Sequence, residues 1–136
     1  MKLLFQRGDI KEYLKTVTFA DIATFDSGTV HEVYATFSIA RDAEWSGRLF
    51  VLDMKEEFEE GIGTYISVEH IGPAFVGDTV RFVACLESVN PKGEVVNTYQ
   101  AFVGDRLIAE GRQVQRILPR TKIEQRLADM KQPAKN

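Results

Sequence analysis

The feature that most limits what this chain can fold into is a run of small and apolar residues between Thr36 and Phe58. They recur at Thr36, Ala40, Ala43, Gly47, Val51, Met54 and Phe58, at intervals of three or four. Such spacing keeps one helical face for about six turns. A helix of that length in a chain of 136 residues must be central to the fold. Ala43 and Gly47 carry almost no side chain, so their face admits close approach by something flat. A sheet is the natural partner.

The length fits one domain, residues 1–136, with a single core. Hydrophobic residues make up 44% and charged residues 27%, ordinary values for a globular protein. The net charge of −3 argues against nucleic-acid binding, which wants a basic face. One cysteine, Cys85, excludes an internal disulfide and leaves no cysteine-based metal pattern. It reads as a small apolar residue rather than a nucleophile. No apolar run approaches the ~20 residues of a membrane span, and Met1 to Phe5 is too short for a signal peptide. The expectation is a cytoplasmic protein with no metal, no nucleic-acid partner and no membrane partner.

Residues 1–14 are amphipathic and read equally as a short helix or an extended lead-in. Lys15 to Phe19 alternates polar with apolar residues and predicts a first strand. Asp21 to His31, with a turn at Asp26-Ser27-Gly28, reads as a loop beside the start of the long helix. Glu59-Glu60-Gly61 ends that helix, with glycine as its cap. A strand from Gly63 to Ile71 follows. Three more strands are predicted: Thr79 to Val89, Glu94 to Val103 and Arg106 to Leu118. Asn90-Pro91-Lys92-Gly93 and Gly104-Asp105 are the turns between them. Pro119 stops the last, and Thr121-Lys122-Ile123-Glu124 is a capping-box pattern opening a short final helix with Ile123 and Leu127 inward. From Lys131 onward a frayed tail is expected.

Strand, long helix, then four consecutive strands, the last three hairpin-linked, predict an α+β fold. A curved antiparallel sheet wrapped around one buried helix covers such a helix most economically, and that arrangement is the hotdog fold. A lone five-stranded sheet leaves edges exposed, so a homodimer, or a tetramer built from it, is expected.

Within this frame, Tyr34-Ala35-Thr36, Glu44-Trp45, Gly63-Thr64 and Val68-Glu69-His70 together resemble the fluoroacetyl-CoA thioesterase group of hotdog enzymes. The similarity continues through Ala74 to Val80 and the last three strands to Gly111. The Gly77-Asp78-Thr79-Val80 turn is shared by many hotdog thioesterases; the matched threonine, glutamate and histidine are more specific. The resemblance implies hydrolysis of a small acyl-CoA thioester, with Thr36, Glu44 and His70 catalytic and Gly63 contacting the substrate in the acyl pocket. It implies no cofactor beyond the CoA of the substrate. Ser27 and Val30 stand where the founding member has gating phenylalanines, and Gln115 where it has an arginine. Those departures speak for thioester hydrolysis in general rather than for fluoroacetate.

The chemistry is consistent. Thioester hydrolysis needs an activated water or nucleophile, a proton carrier and oxyanion stabilisation. Glu44, on a helix with a buried stripe, should be partly desolvated, which makes it a better base. An imidazole such as His70 suits proton transfer near neutrality. On a continuous helix Thr36 and Glu44 lie about 12 Å apart along the axis and ~80° apart around it, so they cannot touch. His70 and the substrate lie between them, the first turn departs from helix, or a partner chain completes the site. Taken singly, Thr36 reads as a helix N-cap, Glu44 as a solvated glutamate and His70 as a structural histidine. Their joint spacing favours the functional reading.

Elsewhere, His31 is placed in a loop, with a role at the pocket mouth the less favoured of its readings, Trp45 reads as packing, and Glu56 to Glu60 as a solvated helix end. Arg112, Arg116, Arg120 and Lys122 are candidates for CoA phosphate contacts. Two competing functions remain: a hotdog hydratase or dehydratase, and a non-catalytic acyl-CoA-binding module.

Overall fold

A computed structural model describes residues 1–131; the expected tail beyond Lys131 lies outside them. The elements are β1 (Ile10–Thr16), a 3-10 turn (Phe19–Asp21), β2 (Ile22–Phe25), β3 (Gly28–Tyr34) and α1 (Thr36–Met54). They continue with β4 (Glu59–Ile66), β5 (Glu69–His70), β6 (Thr79–Val89), β7 (Glu94–Val103), β8 (Arg106–Pro119) and α2 (Arg120–Lys131). Six strands form one antiparallel sheet in the order β1-β6-β7-β8-β4, with β5 also on β8. The sheet curls around α1, which is the hotdog arrangement.

The strands of the second half form where their alternation predicts them. Val80, Phe82, Ala84 and Leu86 of β6 are all buried against α1. Each large apolar side chain buried there contributes roughly 1.5–3 kcal/mol. Both turns form; Gly93 at φ +87° and Gly104 at φ +58° supply the left-handed backbone that closes them.

The helix is shorter than its pattern suggested. It ends at Met54, where the Lys55 N–H closes on the Val51 carbonyl, and Phe58 lies outside it, exposed. Its buried face is Ile39, Ala43, Gly47, Phe50, Val51 and Met54. Thr36 and Ala40 are off that face, because 3.6-residue periodicity fits several neighbouring stripes. Gly61 is not a cap: it lies in β4, where an added Cβ would meet Val51 Cγ1 at 2.6 Å. Nor is Glu56 to Glu60 a solvated helix end. Glu59 opens β4, only 8% exposed, and pairs with the N-terminal amine at 2.7 Å. Glu60 pairs with Arg48 at 2.6 Å.

Four further readings are corrected. The first strand lies at Ile10–Thr16, so the lead-in is partly strand and Lys15 to Phe19 straddles its end. Residues 22–34 form a hairpin, β2–β3, rather than a loop, and His31 is an exposed strand residue opposite Ala23. Gly63 to Ile71 is broken: β4 and β5 are separate strands flanking Ser67-Val68. Finally, α2 starts at Arg120, so Thr121 is inside the helix rather than its cap. Ile123 is half-buried and Leu127 largely exposed, both beside Ile62 and Leu118 in a groove on the face of the sheet away from α1.

Candidate active site

Tyr34-Ala35 carries the chain from the hairpin into α1. The Ala35 N–H donates to the Asp21 carbonyl at 2.9 Å, and the Tyr34 N–H to the Ala74 carbonyl at 2.8 Å. Ala35 is the N-cap and no side chain caps the helix, so Thr36 is its first residue. Its hydroxyl is therefore not spent on the helix backbone. It lies 2.8 Å from His70 Nδ1 instead.

His70 reaches the helix start because of the break between β4 and β5. Ser67 accepts a hydrogen bond from the Tyr99 hydroxyl at 2.7 Å and crosses Gly111, where any Cβ would sit 2.1 Å from the Ser67 oxygen. A glycine is required there for the edge to step across. Beyond the step, Glu69 and His70 pair with Glu110 and Ala109 of β8.

Glu44 lies two turns along α1, half-buried. Its carboxylate rests on Gly63 of β4, where an added Cβ would stand 1.7 Å from Oε1. Among the described residues nothing hydrogen-bonds that carboxylate; only its main-chain carbonyl is engaged. The four predicted residues thus come together as two pairs, Thr36 with His70 and Glu44 with Gly63. No hydrogen bond joins the pairs within one chain among the described residues.

Sequence reasoning missed what holds this site in place. The base of the hairpin is clamped to α1 by Asp21, Arg41, Asp42 and Tyr34. Arg41 donates to Asp21 at 2.7 Å and to Asp42 at 2.9 Å, and the Tyr34 hydroxyl also donates to Asp42. Burial alone would raise the Asp21 carboxyl, but hydrogen bonds from Arg41, from the Thr18 backbone and hydroxyl, and from Lys15 hold it at about 2. Burial, reinforced by Asp42, pushes the Tyr34 phenol far up, so it stays a neutral donor. The Phe25 ring of the hairpin packs edge-on against Phe37, beside Thr36, with centroids 5.7 Å apart. An aspartate at position 42, on the buried side of an apolar helix, was the available signal for the clamp.

Trp45 meets Tyr13 edge-on at 6.5 Å but is exposed, beside Glu44 in a surface pocket, so it is not a core packing residue. Arg112 is engaged by Glu87 at 3.1 Å and Arg116 by the Lys92 carbonyl at 3.4 Å, and Arg120 approaches Glu60 at 3.9 Å. Cys85 is half-buried on β6. Among the described residues there is no cluster of three or more histidine, cysteine or acidic side chains able to hold a metal, and no helix long and apolar enough to cross a membrane.

A long helix held in a curled antiparallel sheet is the architecture of hotdog thioesterases, and comparisons with known proteins agree. The sequence matches the fluoroacetyl-CoA-specific thioesterase family over residues 17–121. A Thermus thermophilus hypothetical protein of the thioesterase superfamily is 34% identical, with 93% of each chain covered and a TM-score of 0.88. A hot-dog-like protein from Thermanaerovibrio acidaminovorans superposes with a TM-score of 0.86 at 20% identity, over 96% of each chain. The fluoroacetyl-CoA thioesterase FlK superposes at 0.85 with 21% identity, covering 95% of this chain and 98% of its own. No curated protein matches by sequence. The chain belongs to the fluoroacetyl-CoA-specific thioesterase family, and is a thioesterase of the hotdog fold.

Proposed function

We propose that the protein hydrolyses a small acyl-CoA to the free acid and CoA, using Thr36, Glu44 and His70 with Gly63 against the acyl group. The observation that carries this reading is the Thr36–His70 hydrogen bond, a hydroxyl held on an imidazole at the mouth of the helix. Support from relatives comes from FlK variants crystallised with fluoroacetate and CoA and with acetyl-CoA.

In this reading Glu44 takes a proton from water as the water oxygen attacks the thioester carbonyl. The C–S bond then breaks and the CoA sulfur leaves with a proton relayed by His70. Thr36 orients the imidazole, and backbone N–H groups at Gly63 or the uncapped helix start hold the oxyanion. A direct attack by Glu44 would give an anhydride that water then opens, with the same products. No cofactor or metal is needed, and a cytoplasmic setting suits a CoA ester.

The two half-sites are joined most simply by a second copy of the chain. Strand β4, which carries Gly63, is a sheet edge, and its Tyr65 and Ile66 are exposed. A homodimer through that edge would bring one chain's Glu44–Gly63 towards the other's Thr36–His70.

A thiol-release assay over short and aromatic acyl-CoAs tests the reaction. Release of free CoA, lost by orders of magnitude in Glu44→Gln and His70→Ala, is the expected result. Water addition without thiol release, or binding without either, would overturn it, as would near-wild-type turnover in both variants.

A further inference from the structure

Beneath Glu44 the sheet breaks its own rule. The inward positions of β7 and β8 alternate as a half-buried sheet should, yet Asn97, Gln113 and Gln115 occupy three of them, at most 1% exposed. An amide buried without partners is destabilising, because its lost hydration is not replaced. The two glutamines are partnered, and with Asn97 Oδ1 they form a ladder; of the three side chains, Asn97 Nδ2 alone has no partner among the described residues. Gln113 Nε2 donates to Asn97 Oδ1 at 3.2 Å and to the Ala43 carbonyl at 3.0 Å. Gln115 Nε2 donates to Gln113 Oε1 at 2.9 Å and to the Glu44 carbonyl at 3.1 Å.

The ladder separates the apolar core into two parts. Ile39, Phe82 and Tyr99 lie in one; Phe50, Met54 and Leu86 lie in the other. Gly47 makes the close approach possible, since any Cβ there would sit 1.5 Å from Gln113 Nε2. Register sets the ends of the row. Gln113 faces Asn97, and Gln115 faces Gly63, the residue on which the Glu44 carboxylate rests.

Such amides are not needed to satisfy the helix, whose interior carbonyls already accept from the residue four ahead. Apolar side chains would hold helix to sheet with no desolvation cost. What the amides add is direction. A directional donor fixes where the carbonyl lies, and so sets both the height and the rotation of this helical turn.

We propose that Gln115, braced by Gln113, is a positioning residue that holds the Glu44 turn in register with Gly63. The proposal rests on Glu44 being the carboxylate of the reaction. A displacement of about 1 Å at a reacting group can cost ~10²-fold in rate, so a small rotation of this turn would be visible in turnover.

The test is a double-mutant cycle on the full chain, read by thiol release and urea unfolding. Gln115→Met removes the donor at similar volume. We expect kcat to fall about tenfold or more with KM within about twofold, in a variant that is folded without urea but whose unfolding midpoint is lowered by the Gln113 Oε1 left unpaired. If Gln115 acts through Glu44, the Glu44→Gln/Gln115→Met double variant is no slower than Glu44→Gln alone. Wild-type kcat in Gln115→Met, or losses that multiply in the double variant, would overturn the assignment. Should Gln115→Met fold poorly, Gln115→Leu takes its place in the same cycle, judged by the same criteria. Wild-type turnover in Glu44→Gln, with the ladder intact, would instead sink the reading of Glu44 itself.

Discussion

The Thr36 hydroxyl lies 2.8 Å from His70 Nδ1, across 34 residues of sequence and between two different elements. The hydroxyl can donate to Nδ1 or accept from it, so it holds the ring in place in either tautomer. Removing it while keeping the shape, in Thr36→Val, should lower kcat/KM about 10²-fold. Thr36→Ser should keep most of it. Thr36 is exposed, so both variants should unfold within about 0.5 kcal/mol of wild type. Equal activity in the valine and serine variants would mean the hydrogen bond has no part in turnover.

Gly63 gives a sharper test of the second pair. A methyl group there would stand 1.7 Å from Glu44 Oε1, the free end of a flexible side chain, so the carboxylate can swing away. Gly63→Ala should therefore leave stability nearly unchanged while displacing the carboxylate. Turnover should fall by about tenfold or more. A fully active alanine variant would place the reacting carbonyl somewhere other than over Gly63.

At Gly47 the outcome should be the reverse, a large effect on stability. The added methyl would meet Gln113 Nε2 at 1.5 Å, Gln113 Cδ at 2.3 Å and Asn97 Oδ1 at 2.4 Å, all in buried, hydrogen-bonded amides. Overpacking of this kind costs about 1–3 kcal/mol, while alanine's helix propensity returns up to ~1 kcal/mol. Gly47→Ala should be net destabilised in urea. Stability at or above wild type would show that helix and sheet have room to part.

Much of this was legible in the residues, and the misses have physical causes. Strands β6 and β7 lie where the sequence marks them, because alternation, the Asn90-Pro91-Lys92-Gly93 turn and the Gly104-Asp105 turn all give the same limits. The close approach at Gly47 was legible too, since an absent side chain is itself the signal. The helix end was not: Phe58 continues the periodicity after the backbone has already left the helix. Asp21 to His31 reads as loop because the strands of the hairpin are short and mostly exposed, leaving little apolar alternation to detect. The amide ladder escaped because a glutamine at an inward strand position looks like any glutamine until a helix carbonyl is known to face it.

Asp21 should make acid unfolding partly a story of the hairpin clamp. Its carboxyl is 1% exposed, and Arg41, Thr18 and Lys15 hold it at about 2 against an ordinary 3.8. A depressed acid stabilises the fold fully above its unfolded value and loses that contribution as pH falls through its folded value. The window therefore runs from about pH 4 down to about pH 2, and the amount at neutral pH is about 2 kcal/mol. Asp21→Asn removes the charge and the ion pairs with Arg41 and Lys15. The stability gap between wild type and variant, from urea unfolding, should be constant above about pH 5 and close as pH drops towards 2. Because the Asp21 carbonyl also receives the Ala35 N–H one residue before Thr36, the variant should lose turnover as the helix start loosens. A gap that does not change with pH would mean that the charge on Asp21 contributes nothing, and that packing alone holds the hairpin to the helix.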